Sequence, residues 1–244
     1  GQWMKILRNP LRYMRFLRQY REFSAQNAAK RPEFTVNWSD RWLQLKDDTG
    51  DQPFDGHYIY HTAWAARVLA QTRPTKHVDI SSYLYFATIA SAFVPIEFYD
   101  FRPAAVKLAN LHCGKADLSN LHFSDQSVAS LSCLHTIEHI GLGRYGDPIN
   151  ATGDTRALKE LQRVLAPAGN LLIVVPVGRP RIQYNAHRIY HPQMVVDQLP
   201  ELSLKTWSLL PDDGSQGLLE NPNFELAEQQ RYGCGCFWFE RPIA

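Results

Sequence analysis

The sequence predicts an α/β protein: a doubly wound, mainly parallel sheet that ends in an antiparallel strand pair. Three observations carry this. Strand-like and helical segments alternate from His77 to Val177. The strands include unbroken apolar runs such as Leu171-Leu172-Ile173-Val174-Val175, which suit a sheet covered on both faces. Two strand-like segments, Leu202 to Leu209 and Cys234 to Glu240, then follow with a long loop rich in Pro, Asp, Gly and Asn between them, as antiparallel neighbours would.

A chain of 244 residues with 45% hydrophobic content can bury one sizeable core. The expected organisation is a basic amphipathic helix and connector over 1–56 and one domain over 57–244. Within 1–23, Lys5, Arg8, Arg12, Arg15, Arg18 and Arg21 interleave with Trp3, Ile6, Leu7, Tyr13, Met14, Phe16, Leu17 and Tyr20. That spacing suits a helix, and Asn9-Pro10 reads as its N-cap and first turn, giving Pro10 to Phe23. Such a helix either attaches to an anionic membrane surface or a protein partner, or packs its apolar side on the domain and solvates its arginines. Asn37 to Asp55 is polar and turn-rich, a connector.

Tyr58 to Gln71 then has helical spacing and Pro74 closes it. His77 to Ile80 reads as the first strand, Phe86 to Phe93 as a helix, Ile96 to Tyr99 as the second strand and Ala104 to Leu111 as a helix. Val128 to Leu134 reads as a strand, Thr155 to Leu165 as an amphipathic helix and Asn170 to Val177 as a buried strand.

Charge and cysteines exclude several classes. The 26 basic and 24 acidic residues leave +2, far from a dedicated nucleic-acid binder, so no nucleic-acid partner is expected. Cys113, Cys133, Cys234 and Cys236 lack the C-x-x-C spacing of a zinc site and the density of a disulfide scaffold, which predicts a reducing, cytoplasmic setting. No apolar run approaches the roughly 18 to 20 residues of a membrane span. Any membrane contact is expected to be peripheral, at the inner face.

In doubly wound sheets the ligand lies beyond the carboxyl ends of the strands, and an acid about 20 residues after the first strand bonds ribose hydroxyls. Asp79 lies near the end of the first strand, Asp100 ends the second, and Asp117 precedes the strand holding Ser130 to Leu134. Together with S-L-S-C-L-H-T-I-E-H-I-G and L-K-E-L-Q-R-V-L-A-P-A-G-N-L-L-I-V-V-P, the stretch from Asp79 to Val177 resembles the Rossmann-like class I S-adenosyl-methionine-dependent methyltransferases. The run I-E-H-I-G-L-G-R-Y-G-D-P-I, with N-A-H-R-I-Y downstream, is similar to a methyltransferase-like family of unassigned function.

The resemblance implies S-adenosyl-methionine as cofactor. Asp100, with Phe101 beside it, would bind the ribose, Asp117 and Leu118 the adenine, and the turn after Asp79, with Ser81 and Ser82, the methionine end. The usual glycine-rich turn is replaced: its glycine positions hold Ser81, Tyr83 and Tyr85, and a tyrosine at the second could crowd the methionine end.

His135, Glu138 and His139 directly follow a strand, where a transferred methyl group would lie. The H-x-x-E-H spacing puts all three on one face if the segment is helical. It also matches the inverted zinc-protease motif, but that motif needs a long helix, and Gly141, Gly143 and Gly146 interrupt this one. Two catalytic readings follow. His135 or His139 is a general base toward an acceptor hydroxyl, or His135, Glu138, His139 and His187 hold a divalent metal ion that polarises the acceptor. A third reading has these residues only hydrogen-bonding the loop.

Arg144, Tyr145, Asp147, Arg181, Asn185, His187 and Arg188 lie on loops after core strands and suit a polar, hydroxylated small-molecule or glycan acceptor. The expected activity is O-methylation of a carbohydrate or similar acceptor. The alternative is a non-catalytic binding or scaffolding protein with a degenerate pocket. Cys234-Gly235-Cys236 on a strand reads as redox-active or, more simply, as buried filler.

Overall fold

The computed structural model describes residues 10–243. The readings placed on residues 1–9, including Trp3, Lys5, Ile6, Leu7 and Arg8, lie outside them. The chain divides into two compact units, 1–54 and 55–244.

In the first unit, helix α1 spans Pro10–Lys30. It continues past the expected end at Phe23 because Ser24 to Lys30 holds neither Gly nor Pro and carries three alanines; Pro32 lies just beyond its end. The following segment folds back along it. Tyr20 Oη donates to Val36 O (3.3 Å), Arg12 donates to Leu45 O (2.8 Å), and Arg15 pairs with Asp48. The Tyr20 and Trp38 rings meet edge to face at 5.0 Å. No residue of α1 is buried, and Leu11, Met14 and Phe23 are exposed. No helix among the described residues is long and apolar enough to cross a membrane.

The second unit is built on an eight-stranded sheet. Its elements are α2 (Gly56–Thr72), β1 (His77–Ile80), α3 (Leu84–Ala90), β2 (Ile96–Asp100), β3 (Leu111–Lys115), β4 (Val128–Leu134), α4 (Gly153–Val164) and β5 (Leu165–Val177). There follow β6 (Arg181–Gln183), β7 (His187–Ile189), α5 (Pro192–Asp197), β8 (Ser203–Leu210), β9 (Leu219–Glu220), α6 (Phe224–Glu228) and β10 (Gly233–Glu240). The strand order is β3-β2-β1-β4-β5-β10-β8-β9. β1 to β5 pair in parallel, while β10 inserts antiparallel between β5 and β8. This is the doubly wound, mainly parallel Rossmann-like sheet with its antiparallel ending. The order reverses between β1 and β4, the place where such sheets open a crevice.

Both faces of β5 are buried. Leu171, Ile173 and Val175 join Leu158, Leu161 and Val164 of α4, whereas Leu172 and Val174 join Trp64, Val68 and Leu69 of α2 and Phe86 of α3. The unbroken apolar run is therefore needed: a polar residue on either side would face a helix. Asp55 caps α2 by accepting from Tyr58 N (3.3 Å), and Arg73, in the left-handed region just before Pro74, ends it.

One expected element is absent. Ala104 to Leu111 forms no helix; Asn110 turns the chain at φ 58°, and Leu111 begins β3 in register with Ile96. Pairing with β2 overrides the helical propensity of the Ala- and Leu-rich segment. α3 ends at Ala90, short of Phe93, because Ala92 and Phe93 close tight turns onto Ile89 and Ala90. β5 starts at Leu165 and not Asn170, so its first residues lie where the α4 pattern was expected to end. The β6–β7 hairpin and α5 stand where the sequence showed only a loop.

A buried polar chain crosses the sheet. His77 meets Ser130 Oγ (2.7 Å) through Nδ1 and Ser132 Oγ (2.8 Å) through Nε2, and Ser132 donates to Asp79. Since Ser132 gives its proton to Asp79, it accepts from His77 Nε2, so His77 is neutral with its proton there. Burial pushes His77 down to about 3 and Asp79 up to about 6. Between pH 6.5 and about 3 the unfolded chain binds a proton at His77 that the folded chain refuses, so this site withdraws stability on acidification; Asp79 acts oppositely between about 6 and 3.8. His77→Asn is expected to be destabilised at pH 7 through its lost hydrogen bonds, with the deficit shrinking by about 2 kcal/mol at pH 4.5. Urea denaturation at the two pH values measures this, and a constant deficit contradicts it.

Candidate active site at the carboxyl edge of the sheet

A cavity of about 490 Å³ opens beyond the carboxyl ends of β1, β2 and β4, within the range of roughly 300 to 1,000 Å³ common for small-molecule sites. One end is lined by Ser81, Ser82, Asp100, Phe101, Asp117 and Leu118, the other by His135, Thr136, His139, Tyr145 and Asp147.

The turn after β1 takes its shape without glycine. Ser81 adopts φ 58°, the left-handed conformation expected of the first glycine, at a cost of about 1–2 kcal/mol. Hydrogen bonds hold it there: Ser81 N donates to Tyr99 O (2.7 Å), Thr136 Oγ1 to Ser81 O (2.7 Å) and Leu134 N to Ser82 Oγ (2.9 Å). The turn is thus stitched to the end of β4.

Asp79 is fully buried, accepting from Ser82 N (3.1 Å) and from Ser132, and does not line the cavity. Its carboxylate shapes the turn. Tyr83 and Tyr85 are 45% and 65% exposed, their rings 5.2 Å apart and Tyr83 against Tyr58 at 4.9 Å. Tyr83 is one of the cavity's lining residues and Tyr85 is not. Asp100 and Asp117 each fix one oxygen on a backbone amide two residues on, Arg102 N (2.7 Å) and Ser119 N (2.8 Å).

At the other end, H-x-x-E-H forms one 3-10 turn, Ile137–His139, not a helix, which removes the context that a zinc-protease motif needs. His135 sits at φ 55° with its side chain buried. Its Nδ1 meets Glu138 Oε1 at 2.8 Å, while Nε2 meets His57 Nδ1 at 3.2 Å and Cys234 Sγ at 3.4 Å. Burial disfavours its charged form, but Cys234 and the Glu138 carboxylate outweigh this and raise its pKa. Burial likewise opposes charge on Glu138, yet its bond to His135 holds the carboxyl below its usual value. Burial pushes the Cys234 thiol up.

His139 differs. Its Nδ1 donates to Ala186 O at 2.6 Å, which leaves Nε2 as the basic nitrogen, 3.7 Å from Glu138 Oε1. Beside it, Asp147 accepts from Gly141 N (2.7 Å) and Tyr145 N (3.2 Å) and closes the 141–147 loop. Burial acts against the Asp147 carboxylate, but these amides lower its pKa overall. Gly141 has φ 81°, and a Cβ there would sit 2.0 Å from Asn150 O, so only glycine fits.

Five residues expected on the acceptor side do not line the cavity. Arg144 donates to Ala186 O (3.1 Å) with its guanidinium 5.1 Å from the Tyr145 ring centre. Asn185 is exposed in the β6–β7 turn. His187 bonds Gln183 (2.6 Å) and lies against Tyr232 at 4.7 Å; burial lowers its pKa. Arg188 is buried, donating to Ile140 O (2.7 Å) and Ala151 O (3.3 Å) and pairing with Asp154 at 3.5 Å, so it braces the wall from behind. Arg181 donates to Arg179 O (3.0 Å) and Arg231 O.

The quartet His135, Glu138, His139 and His187 does not assemble as a metal site, because His135 aims its free nitrogen at His57 and Cys234, and His187 turns to Gln183. Among the described residues the group with metal-ligand spacing is His57, His135 and Cys234. Tyr58 and Arg102 also line the cavity, and the Arg102 guanidinium lies 5.0 Å from the Tyr145 ring centre. No motif marks His57, Tyr58, Arg102 or Cys234; α2 and β10 bring three of them from distant sequence.

Residues 115–196 match a family described as "Caenorhabditis protein of unknown function, DUF268". The match spans β4, the His135–His139 turn, the 141–150 loop and the β6–β7 hairpin, but not the turn after β1. No curated protein sequence matches the chain.

Solved structures share the fold. The N-methyltransferase NodS of Bradyrhizobium japonicum WM9, in complex with S-adenosyl-l-homocysteine, is similar at TM-score 0.53 and 12% identity, with 75% of this chain and 86% of that one covered. The [4+2]-cyclase SpnF is similar at 0.50 and 12%, covering 75% and 81%. Phosphoethanolamine N-methyltransferase 2 of Haemonchus contortus is similar at 0.51 and 12%, covering 74% and 53%. The chain has the class I S-adenosyl-methionine-dependent methyltransferase-like fold.

Arg188→Met is expected to lower stability by about 3 kcal/mol, since it strands Asp154 and several loop carbonyls, and to expose residues 141–150 to proteolysis. Arg188→Lys should rescue little, as one ammonium cannot reach the separate acceptors. Chemical denaturation with limited proteolysis measures both.

Proposed function

We propose that the protein transfers a methyl group from S-adenosyl-methionine to an oxygen of a polar, hydroxylated acceptor, with a carbohydrate-like molecule fitting best. The observation that carries this is His139: its Nδ1 is tied to Ala186 O, and it stands at the cavity between the strand-end acids and the Tyr145–Asp147 wall.

The residues at the cofactor end fit the group. Asp100 would take the ribose hydroxyls, Asp117 and Leu118 the adenine edge and face, and the backbone at Ser81 and Ser82 the methionine end. When bound, the cofactor supplies an electrophilic methyl on a positively charged sulfur. His139 Nε2 takes the hydroxyl proton from the acceptor, and the Glu138 carboxylate at 3.7 Å favours the resulting imidazolium. Tyr145, Asp147 and Arg102 supply a ring, an acceptor and a cation along the wall, which suits a ring bearing several hydroxyls. His135 has both nitrogens engaged by protein groups and acts through Glu138.

A second reading, a binding protein without methyl transfer, is favoured by Tyr83 and Tyr85 in the glycine positions. The fold does not decide between the two.

Calorimetric titration with S-adenosyl-homocysteine is expected to show micromolar binding that weakens at least tenfold in Asp100→Ala. His139→Ala should keep that affinity while product release falls 100-fold or more across a panel of monosaccharides and glycosides, the loss typical for a general base. Full turnover in His139→Ala removes it as the base, and absent cofactor binding by folded protein favours the second reading.

A further inference from the structure

Three donor atoms from three separate elements converge behind the cavity wall. His57, in the first turn of α2, points Nδ1 at His135 Nε2, 3.2 Å away. Cys234, the second residue of β10, places Sγ 3.4 Å from the same nitrogen. All three atoms lie within 4.8 Å of one another. A tetrahedral zinc with bonds of about 2.0–2.1 Å to nitrogen and about 2.3 Å to sulfur requires separations of about 3.3 Å between nitrogens and about 3.6 Å between nitrogen and sulfur. The first two spacings fall close to those edges.

The outer ring nitrogens argue the same way. His135 Nδ1 lies 2.8 Å from Glu138 Oε1, and His57 Nε2 lies 2.9 Å from Tyr232 O. Both partners only accept, so each outer nitrogen carries a proton, and the inner nitrogens, His57 Nδ1 and His135 Nε2, face each other and the sulfur. A histidine that binds a metal holds its remaining N–H on a carboxylate or backbone carbonyl in this manner. One helical turn after His57, the fully buried His61 lies edge-on to the His135 ring at 4.9 Å, its Nε2 without a hydrogen-bond partner among the described residues. Polar chemistry thus extends past the three donors into a dry region, where an unmet charge would be costly.

We propose that His57, His135 and Cys234 bind one divalent ion of the zinc class, with a fourth position left to water or to an acceptor oxygen from the cavity that His135 lines. Two imidazoles and a thiolate select zinc, cobalt or a similar borderline ion over magnesium or calcium, which take oxygen ligands. Binding displaces the Cys234 thiol proton and any proton shared between the facing rings, and these pass to solvent. The ion would tie α2, the end of β4 and β10 together. The site does not depend on the methyl-transfer reading.

The test uses the full chain, stripped with a chelator, confirmed folded by circular dichroism and titrated with Co2+. One equivalent is expected to bind with tetrahedral visible absorption and a thiolate-to-cobalt charge-transfer band, both removed by added Zn2+. Cys234→Ser should lose the charge-transfer band, and His57→Ala should bind Co2+ at least tenfold more weakly. Cys236→Ser, whose sulfur lies 4.0 Å from that of Cys234 but outside the group of three donors, should keep the band. If Cys234→Ser does not fold, His57→Ala carries the test. No stoichiometric binding by folded wild type, a band that survives Cys234→Ser, or unchanged affinity in His57→Ala overturns the site. S-adenosyl-homocysteine titration of the same stripped protein keeps the two readings apart: cofactor binding without cobalt binding overturns the metal site alone, and cobalt binding without cofactor binding leaves it standing.

Discussion

The buried carboxylate of Glu138 is the constraint around which the candidate site is arranged. It is 1% exposed, and a carboxylate so far from water is tolerated only when cationic or hydrogen-bonding groups surround it. His135 meets it at 2.8 Å, His139 stands at 3.7 Å, and Arg188 donates to Ile140 O and, at 3.4 Å, to Glu138 O, holding the same turn from behind. Each compensation reaches a different part of the fold. His135 leads to His57 on α2 and Cys234 on β10, His139 to Ala186 in the hairpin, and Arg188 to Asp154 at the start of α4. The turn that carries Glu138 is therefore the common point of contacts from α2, β10, the hairpin and α4.

A second constraint sits one strand over. Ser81 after β1 and His135 after β4 both adopt positive φ, at 58° and 55°, at the carboxyl ends of adjacent parallel strands. Reversing direction there lets the backbone face the cavity, and glycine would do it without strain. Here the stitch from Thr136 Oγ1 to Ser81 O and from Leu134 N to Ser82 Oγ over-determines both turns at once. The missing glycines are thus offset by hydrogen bonds between the two turns, while Tyr83 lines the cavity and Tyr85 stays outside its lining.

Much of the fold was legible in the sequence because its strands are buried on both faces. His77–Ile80 and Val128–Leu134 have the expected bounds, since their apolar runs end at polar residues that face the cavity or the turns. Ala104 to Leu111 misled because an edge strand paired on one side needs no distinctive pattern, and an Ala- and Leu-rich crossover has helical periodicity whether or not it is helical. The site was half legible. Asp100, His135 and His139 follow from strand ends, which sequence locates, whereas Asp117 follows from the family resemblance, since the sequence predicts a helix, not the strand, before it. His57 and Cys234 follow from neither, because their proximity is a property of packing between α2 and β10 across a sequence separation of 177, and a lone His and a C-x-C pair carry no local signal. Arg188 was placed at the acceptor for its charge, yet a guanidinium with five donors serves equally well to satisfy loop carbonyls.

The fold leaves the reaction open, since a [4+2]-cyclase and two N-methyltransferases share it. The local energetics are more discriminating. A domain kept only for its shape gains nothing from left-handed Ser81 and His135, from a buried Glu138 Oε2 without a hydrogen-bond partner among the described residues, or from three donors aimed at one point. Each feature costs free energy that an apolar or glycine substitution would recover. Ser81 and His135 line the cavity, and Glu138 and the other two donors pack against His135. Left-handed residues also occur away from the cavity, at Arg73, Asn110, Gln126, Ala168 and Asn221, so strain alone does not single the cavity out; what does is the meeting of two left-handed strand ends, a buried carboxylate and three converging donors around one turn, Ile137–His139.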